Sequence, residues 1–170
     1  MISKKIIPYG KQYIDHFDLD NIKKSLIAEK ITQGRFVDIF ESKIKKYLNV
    51  FDAITCTSGT AALHLSLLSL GIGAGDEVIV PSFTFPATVN TVELVGATPR
   101  FVDISLNDFC IDVTKIEKAI NNRTRAIMPV HEFGYPAAMG QISAIAKEHD
   151  LKIIEDAACA LGSEYRGGKV

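Results

Sequence analysis

At 170 residues, with 47% hydrophobic and 23% charged side chains, the chain has the length and composition of one globular domain able to bury its own core. Its formal net charge of −1, with lysines and arginines scattered in ones and twos, excludes the basic footprint of a nucleic-acid binder. No apolar run approaches the ~20 residues that cross a bilayer, and MISKKIIPYG has too little apolar sequence for a secretory signal, so a cytoplasmic protein is expected.

Residues 1–50 read as an N-terminal helical segment. Asp18 is placed to cap a first helix carrying Leu19, Ile22 and Leu26 at helical spacing, and TQGR breaks it. A second helix follows with Phe36, Ile39, Phe40, Ile44, Tyr47 and Leu48 on one face. From residue 51 to 170 the pattern changes to short apolar runs alternating with helices. The runs AITCT, EVIVPS, TPRFVDI, RAIMPV and LKIIEDA are rich in Val and Ile and apolar on both faces, as buried parallel strands are. Helices are expected at 60–70, 84–95, 115–120 and 137–149. The third would start on a capping box of Thr114 and Glu117, and the fourth would bury Met139, Ile142, Ile145 and Ala146. The alternation predicts an α/β fold with a mainly parallel sheet and flanking helices, the two segments forming one domain.

A sheet of this kind places its ligand site at the carboxyl ends of its strands. At one such corner Ser58, Gly59 and Thr60 present hydroxyls and backbone N–H groups at a helix N-terminus, which is either an anion site or a plain Ser/Thr cap. The P-loop pattern is absent, and the glycines of GIGAGDE follow a helix instead of a strand, which excludes the dinucleotide fingerprint. Asp156 ends a greasy strand, where a buried carboxylate needs a cation or several donors; it is a turn former or the partner of a protonated heteroaromatic nitrogen. Glu155, on the opposite face, is the structural partner of the two. Phe83 and Phe85 are either core or a stacking surface for a flat ring. His131 is a general base or cofactor contact, or a polar residue satisfying loop carbonyls, and His64 is a packing histidine. Cys56, Cys110 and Cys159 are odd in number and far apart, which excludes a disulfide framework and a zinc site, and no metal is expected. Cys159 sits three residues after Asp156 and can face the cleft. Together, an anion cradle, a flat ring and a buried acid at strand ends of one sheet fit pyridoxal 5′-phosphate (PLP).

The stretches TSGTAALHLSLLSLGIGAGDEVIVPSFTFPATVNTVELVGATPRFVDI, AIMPVHEFGYPAAM and IIEDAACALGSEYRGGKV, with IPYGKQYID and ITQGRFVDIFE, closely resemble the DegT/DnrJ/EryC1/StrS family. The resemblance covers nearly the whole chain. It implies the type I, aspartate aminotransferase-like fold and a PLP-dependent transfer of an amino group, usually from glutamate, to a keto group of a nucleotide-linked deoxysugar. By matching position, Gly59 and Thr60, beside Ser58, would hold the cofactor phosphate, Phe85 would stack on the ring, and Asp156 would pair with the pyridinium nitrogen. Cys159 would lie near the phenolic oxygen, where relatives commonly carry Gln or His. A homodimer is implied in the same way.

The resemblance also implies a Schiff-base lysine beyond Val170, so no catalytic residue is assigned within the chain and 51–170 is expected to be an incomplete large domain. Lys169 follows Gly167-Gly168 in what reads as a tight hairpin turn, which makes it a solvated turn lysine. The expected product is the N-terminal portion of a sugar aminotransferase, inactive alone. A dehydratase of the same family, or a non-catalytic remnant binding cofactor or a partner subunit, are the alternatives.

Overall fold

The computed structural model describes residues 10–170; the N-terminal residues read above for a leader, and the first three of IPYGKQYID, lie outside them. Helices α1 (His16–Leu26) and α2 (Arg35–Leu48) lead into α3 (Gly59–Ser69), after which strands and helices alternate. These are β1 (Glu77–Pro81), α4 (Pro86–Leu94), β2 (Thr98–Val102), α5 (Val113–Ala119), β3 (Thr124–Ile127), α6 (Met139–Glu148) and β4 (Lys152–Ile153). The four strands form one sheet in the order β2-β1-β3-β4, every pairing parallel. Each crossover passes through a helix, the connection a parallel pair requires.

The central strand explains the layers. All five residues of β1 are buried, and their side chains alternate. Val78 and Val80 enter one core with Leu63, Leu67 and Val92 of α3 and α4, while Ile79 enters the other with Ile116 of α5 and Ile142 of α6. Each fully buried aliphatic side chain contributes about 1.5–3 kcal/mol. At the amino end of β1, Glu77 is also buried. It accepts hydrogen bonds from Asn121 Nδ2 (2.7 Å), Arg123 Nε (2.9 Å) and Arg123 Nη2. The Asn121 bond, against the opposing effect of burial, and then Arg123 hold its carboxyl below the ordinary value.

Several expectations are corrected. Residues 53–57, AITCT, form no strand and pair with none among the described residues, and Ile54 is 81% exposed. Thr55 N and Oγ1 instead both donate to Glu41 Oε1 of α2 (2.7 and 2.8 Å), so a side chain takes the place of a ladder. The TPRFVDI strand is an edge, not buried on both faces; Phe101 is exposed, and Pro99 is tolerated because only one neighbour needs N–H donors.

The caps moved as well. Asp15, not Asp18, caps α1; Asp18 is three residues inside and reaches back to the Asp15 N–H (3.0 Å) in a reciprocal capping box. Leu19, Ile22 and Leu26 remain exposed, and neither α1 nor α2 buries a residue fully. Asp112, not Thr114, caps α5, because its carboxylate accepts from both the N–H and the hydroxyl of Thr114 (3.1 and 2.7 Å). Helix α6 buries Met139, Ile142 and Ala146, leaving Ile145 half-buried.

The chain closes with a hairpin of β5 (Glu164–Tyr165) and β6 (Gly168–Lys169). Its turn is Arg166-Gly167, both at positive φ (52° and 83°), so Gly168 belongs to the strand and not to the turn. Lys169 is therefore no free turn lysine. Its Nζ lies 3.0 Å from Glu164 Oε1 and 4.6 Å over the Tyr47 ring.

Candidate active site

The site is built where β1, β3 and β4 deliver their carboxyl ends. Asp156 continues the β4 direction as a parallel bridge to Val130: its N–H donates to Pro129 O (2.9 Å), and its carbonyl accepts from His131 N (3.1 Å). That bridge aims a side chain only 7% exposed at the cleft. Asp156 Oδ2 accepts from Thr88 Oγ1 (2.8 Å), and Oδ1 accepts from Ala158 N (3.2 Å). Since Thr88 gives its proton to Asp156, the hydroxyl of Thr84, 2.8 Å away, donates to Thr88 in turn. Two donors satisfy only part of a carboxylate's acceptor capacity, which leaves room for one cationic donor.

Opposite lies the N-terminus of α3. Ser58 is its N-cap, with Oγ accepting from Ala61 N (3.1 Å), and it does not line the cleft. Among the described residues no acceptor meets the N–H of Gly59 or Thr60. Both residues line the cleft, and a Cβ on Gly59 would find nothing within 4 Å. Helix N-termini with free N–H groups favour anions.

Gly59, Thr60, Phe85, Asp156 and Cys159 therefore share one cleft of about 500 Å³, within the range of small-ligand sites. Its wall is aromatic. Phe85 is 75% exposed and Phe83 is exposed too, so neither is core among the described residues; the Phe83 ring lies 6.2 Å from that of Phe133. Cys159 presents an exposed thiol there.

His131 takes its structural role. The ring is fully buried, Nδ1 accepts from Ala137 N (3.0 Å), and Nε2 lies 3.0 Å from Glu155 Oε2. An accepting Nδ1 puts the proton on Nε2, so both nitrogens are occupied and Glu155 is the structural partner expected of it. The sequence reading missed Thr84, Thr88, Glu132 and Phe133. A threonine pair four apart straddling Phe85-Pro86 is a visible signal for the first two; a glutamate beside a strand end is the only one for Glu132.

The set fits PLP chemically: free N–H donors for a phosphate, an acid with spare acceptor capacity for a ring nitrogen, and exposed rings between. No group of three or more potential metal ligands occurs among the described residues, and none of their helices is long and apolar enough to cross a membrane.

Residues 12–170 match the DegT/DnrJ/EryC1/StrS aminotransferase family. The chain is 50% identical over 136 residues to GDP-perosamine synthase of Caulobacter vibrioides, covering 80% of this chain and 37% of that protein. It is 47% identical to GDP-perosamine synthase of Escherichia coli O157:H7, covering 96% and 45%. The sugar aminotransferase Spr1654 of Streptococcus pneumoniae, solved in its PLP form, superposes with a TM-score of 0.90 at 31% identity, covering 96% of this chain and 45% of that one. The chain thus spans less than half the length of these relatives. Its parallel sheet and flanking helices are those of the type I fold. The chain belongs to the DegT/DnrJ/EryC1/StrS aminotransferase family.

Proposed function

We propose that this chain carries the cofactor cradle of a PLP-dependent aminotransferase that moves an amino group, from glutamate, onto a keto group of a nucleotide-linked deoxysugar. The observation that carries the reading is the juxtaposition in one cleft of the buried Asp156 carboxylate with the free N–H groups of Gly59 and Thr60. A bound PLP supplies an electron sink whose strength depends on a protonated ring nitrogen. Asp156 would hold that proton, with its carboxylate oriented by Thr88 and Ala158 N. Gly59 and Thr60 would bind the phosphate at the α3 N-terminus, Phe85 would cover one ring face, and Cys159 would border the ring. Ser58 would act through the helix it caps.

No lysine lines the cleft among the described residues, and Lys169 is engaged in its hairpin. The reaction is therefore proposed for the complete polypeptide, of which this chain is an N-terminal portion. A cytoplasmic homodimer is part of the same proposal; the exposed Leu19, Ile22, Leu26, Ile39 and Phe40 of α1 and α2 support an associating surface.

Equilibrium dialysis against PLP tests the reading. Saturable binding that weakens at least tenfold in Asp156→Asn supports it, and equal binding by wild type and variant overturns it.

A further inference from the structure

The cleft holds a second acid that the reading above leaves unused. Glu132 follows β3 in a short 3-10 turn, Glu132–Gly134, and its side chain is only 8% exposed while lining the cleft. No donor meets its buried Oε1 among the described residues. A buried oxygen left without a partner costs stability, and a side chain that lines a cleft can offset that cost by meeting a ligand there.

The turn is held firmly. His131 is bound at both ring nitrogens, Ser163 Oγ donates to Gly134 O (2.6 Å), and Tyr135 N donates to Glu132 O (2.8 Å). Gly134 packs so closely that a Cβ would lie 3.1 Å from Cys159 O, and Phe133 is kept at φ 51°, a conformation phenylalanine adopts only under constraint. This side chain is presented, not left over.

Burial, and then the negative charge of Asp156, push the Glu132 carboxyl above its ordinary value, toward the neutral acid. A neutral carboxyl can donate a proton in a hydrogen bond, which a carboxylate cannot. The strong acceptor on a hydroxypyridine ring, apart from its side groups, is the phenolic oxygen. Cys159, which also lines the cleft, is a weak donor.

We propose that Glu132 is a second anchor for the cofactor ring, its carboxyl donating to the phenolic oxygen while Asp156 holds the ring nitrogen. This rests on the PLP reading above, and the test separates the two. Wild type, Glu132→Gln and Glu132→Leu are dialysed against PLP and against its analogue lacking the 3-hydroxyl group. Glu132→Leu weakens PLP binding roughly tenfold, Glu132→Gln stays within about threefold because its amide still donates, and the analogue binds all three alike.

PLP binding by Glu132→Leu at wild-type strength, or equal loss of PLP and analogue, overturns the assignment alone. Wild type that binds neither ligand overturns the cofactor reading and this proposal with it. Where Glu132→Leu does not fold, the absorbance of PLP on Glu132→Gln decides. The bound phenolic oxygen ionises at higher pH than in wild type, and an unmoved titration overturns the proposal.

Discussion

Thr88 Oγ1 lies 2.8 Å from Asp156 Oδ2, across 68 residues of sequence, and both side chains are buried. This bond ties the first turn of α4 to the floor of the cleft and, together with Ala158 N on Oδ1, fixes the orientation of the carboxylate. Thr88→Val keeps the shape and removes the donor. It should weaken PLP binding by roughly threefold to tenfold, read by equilibrium dialysis, with a loss in stability of about 1–2 kcal/mol.

Asp156 itself should show opposed effects on stability and on binding. In the empty cleft Asp156 is a buried acid, so Asp156→Asn removes a buried charge; its Oδ1 still accepts from Thr88, while its Nδ2 gives up the acceptor for the Ala158 N–H. The variant should melt at or above the wild-type temperature without PLP, and should lose most of the stabilisation that added PLP gives wild type. Thermal melts with and without PLP measure both.

Ser58 divides a capping role from a binding role. Its hydroxyl is spent on Ala61 N at the α3 N-terminus. Ser58→Ala should cost about 1 kcal/mol in urea denaturation, with PLP affinity changed by less than about threefold. A tenfold loss of affinity at unchanged stability would instead make the serine a direct ligand.

His131 is a brace and not a base. His131→Ala strands the Ala137 N–H and leaves a void under the 132–134 turn, so a loss of about 2–4 kcal/mol is expected by chemical denaturation.

Glu77 gives a pH dependence with a definite sign. Its folded-state carboxyl is held below the ordinary value of 4.5, chiefly by the Asn121 hydrogen bond, so its contribution is present above that value. The contribution is lost as pH falls through the lower folded value. Melting temperature should drop between about pH 5 and pH 3, and the drop should be shallower in Glu77→Gln, which cannot titrate.

The α/β alternation was legible because periodicity is a local property. EVIVP reads as a buried strand from its own five residues, and α3, α4 and α6 lie within two residues of their expected bounds. AITCT carries the same signal and forms no ladder, since strand character becomes a strand only when a neighbour supplies donors and acceptors. Caps were misplaced by two or three residues where an aspartate just outside the helix outcompeted the residue chosen.

Within the site, residue types at expected strand ends singled out Ser58, Gly59, Thr60, Phe83, Phe85, Asp156 and Cys159 with alternatives open, and the family resemblance chose among them. Which hydroxyl faces the cleft, that both nitrogens of His131 are occupied, that Thr88 orients Asp156 and that Glu132 is buried without a partner among the described residues were decided by tertiary structure alone. Each depends on a contact between segments far apart in the chain, and direction and burial in three dimensions leave no periodic trace in the order of the residues.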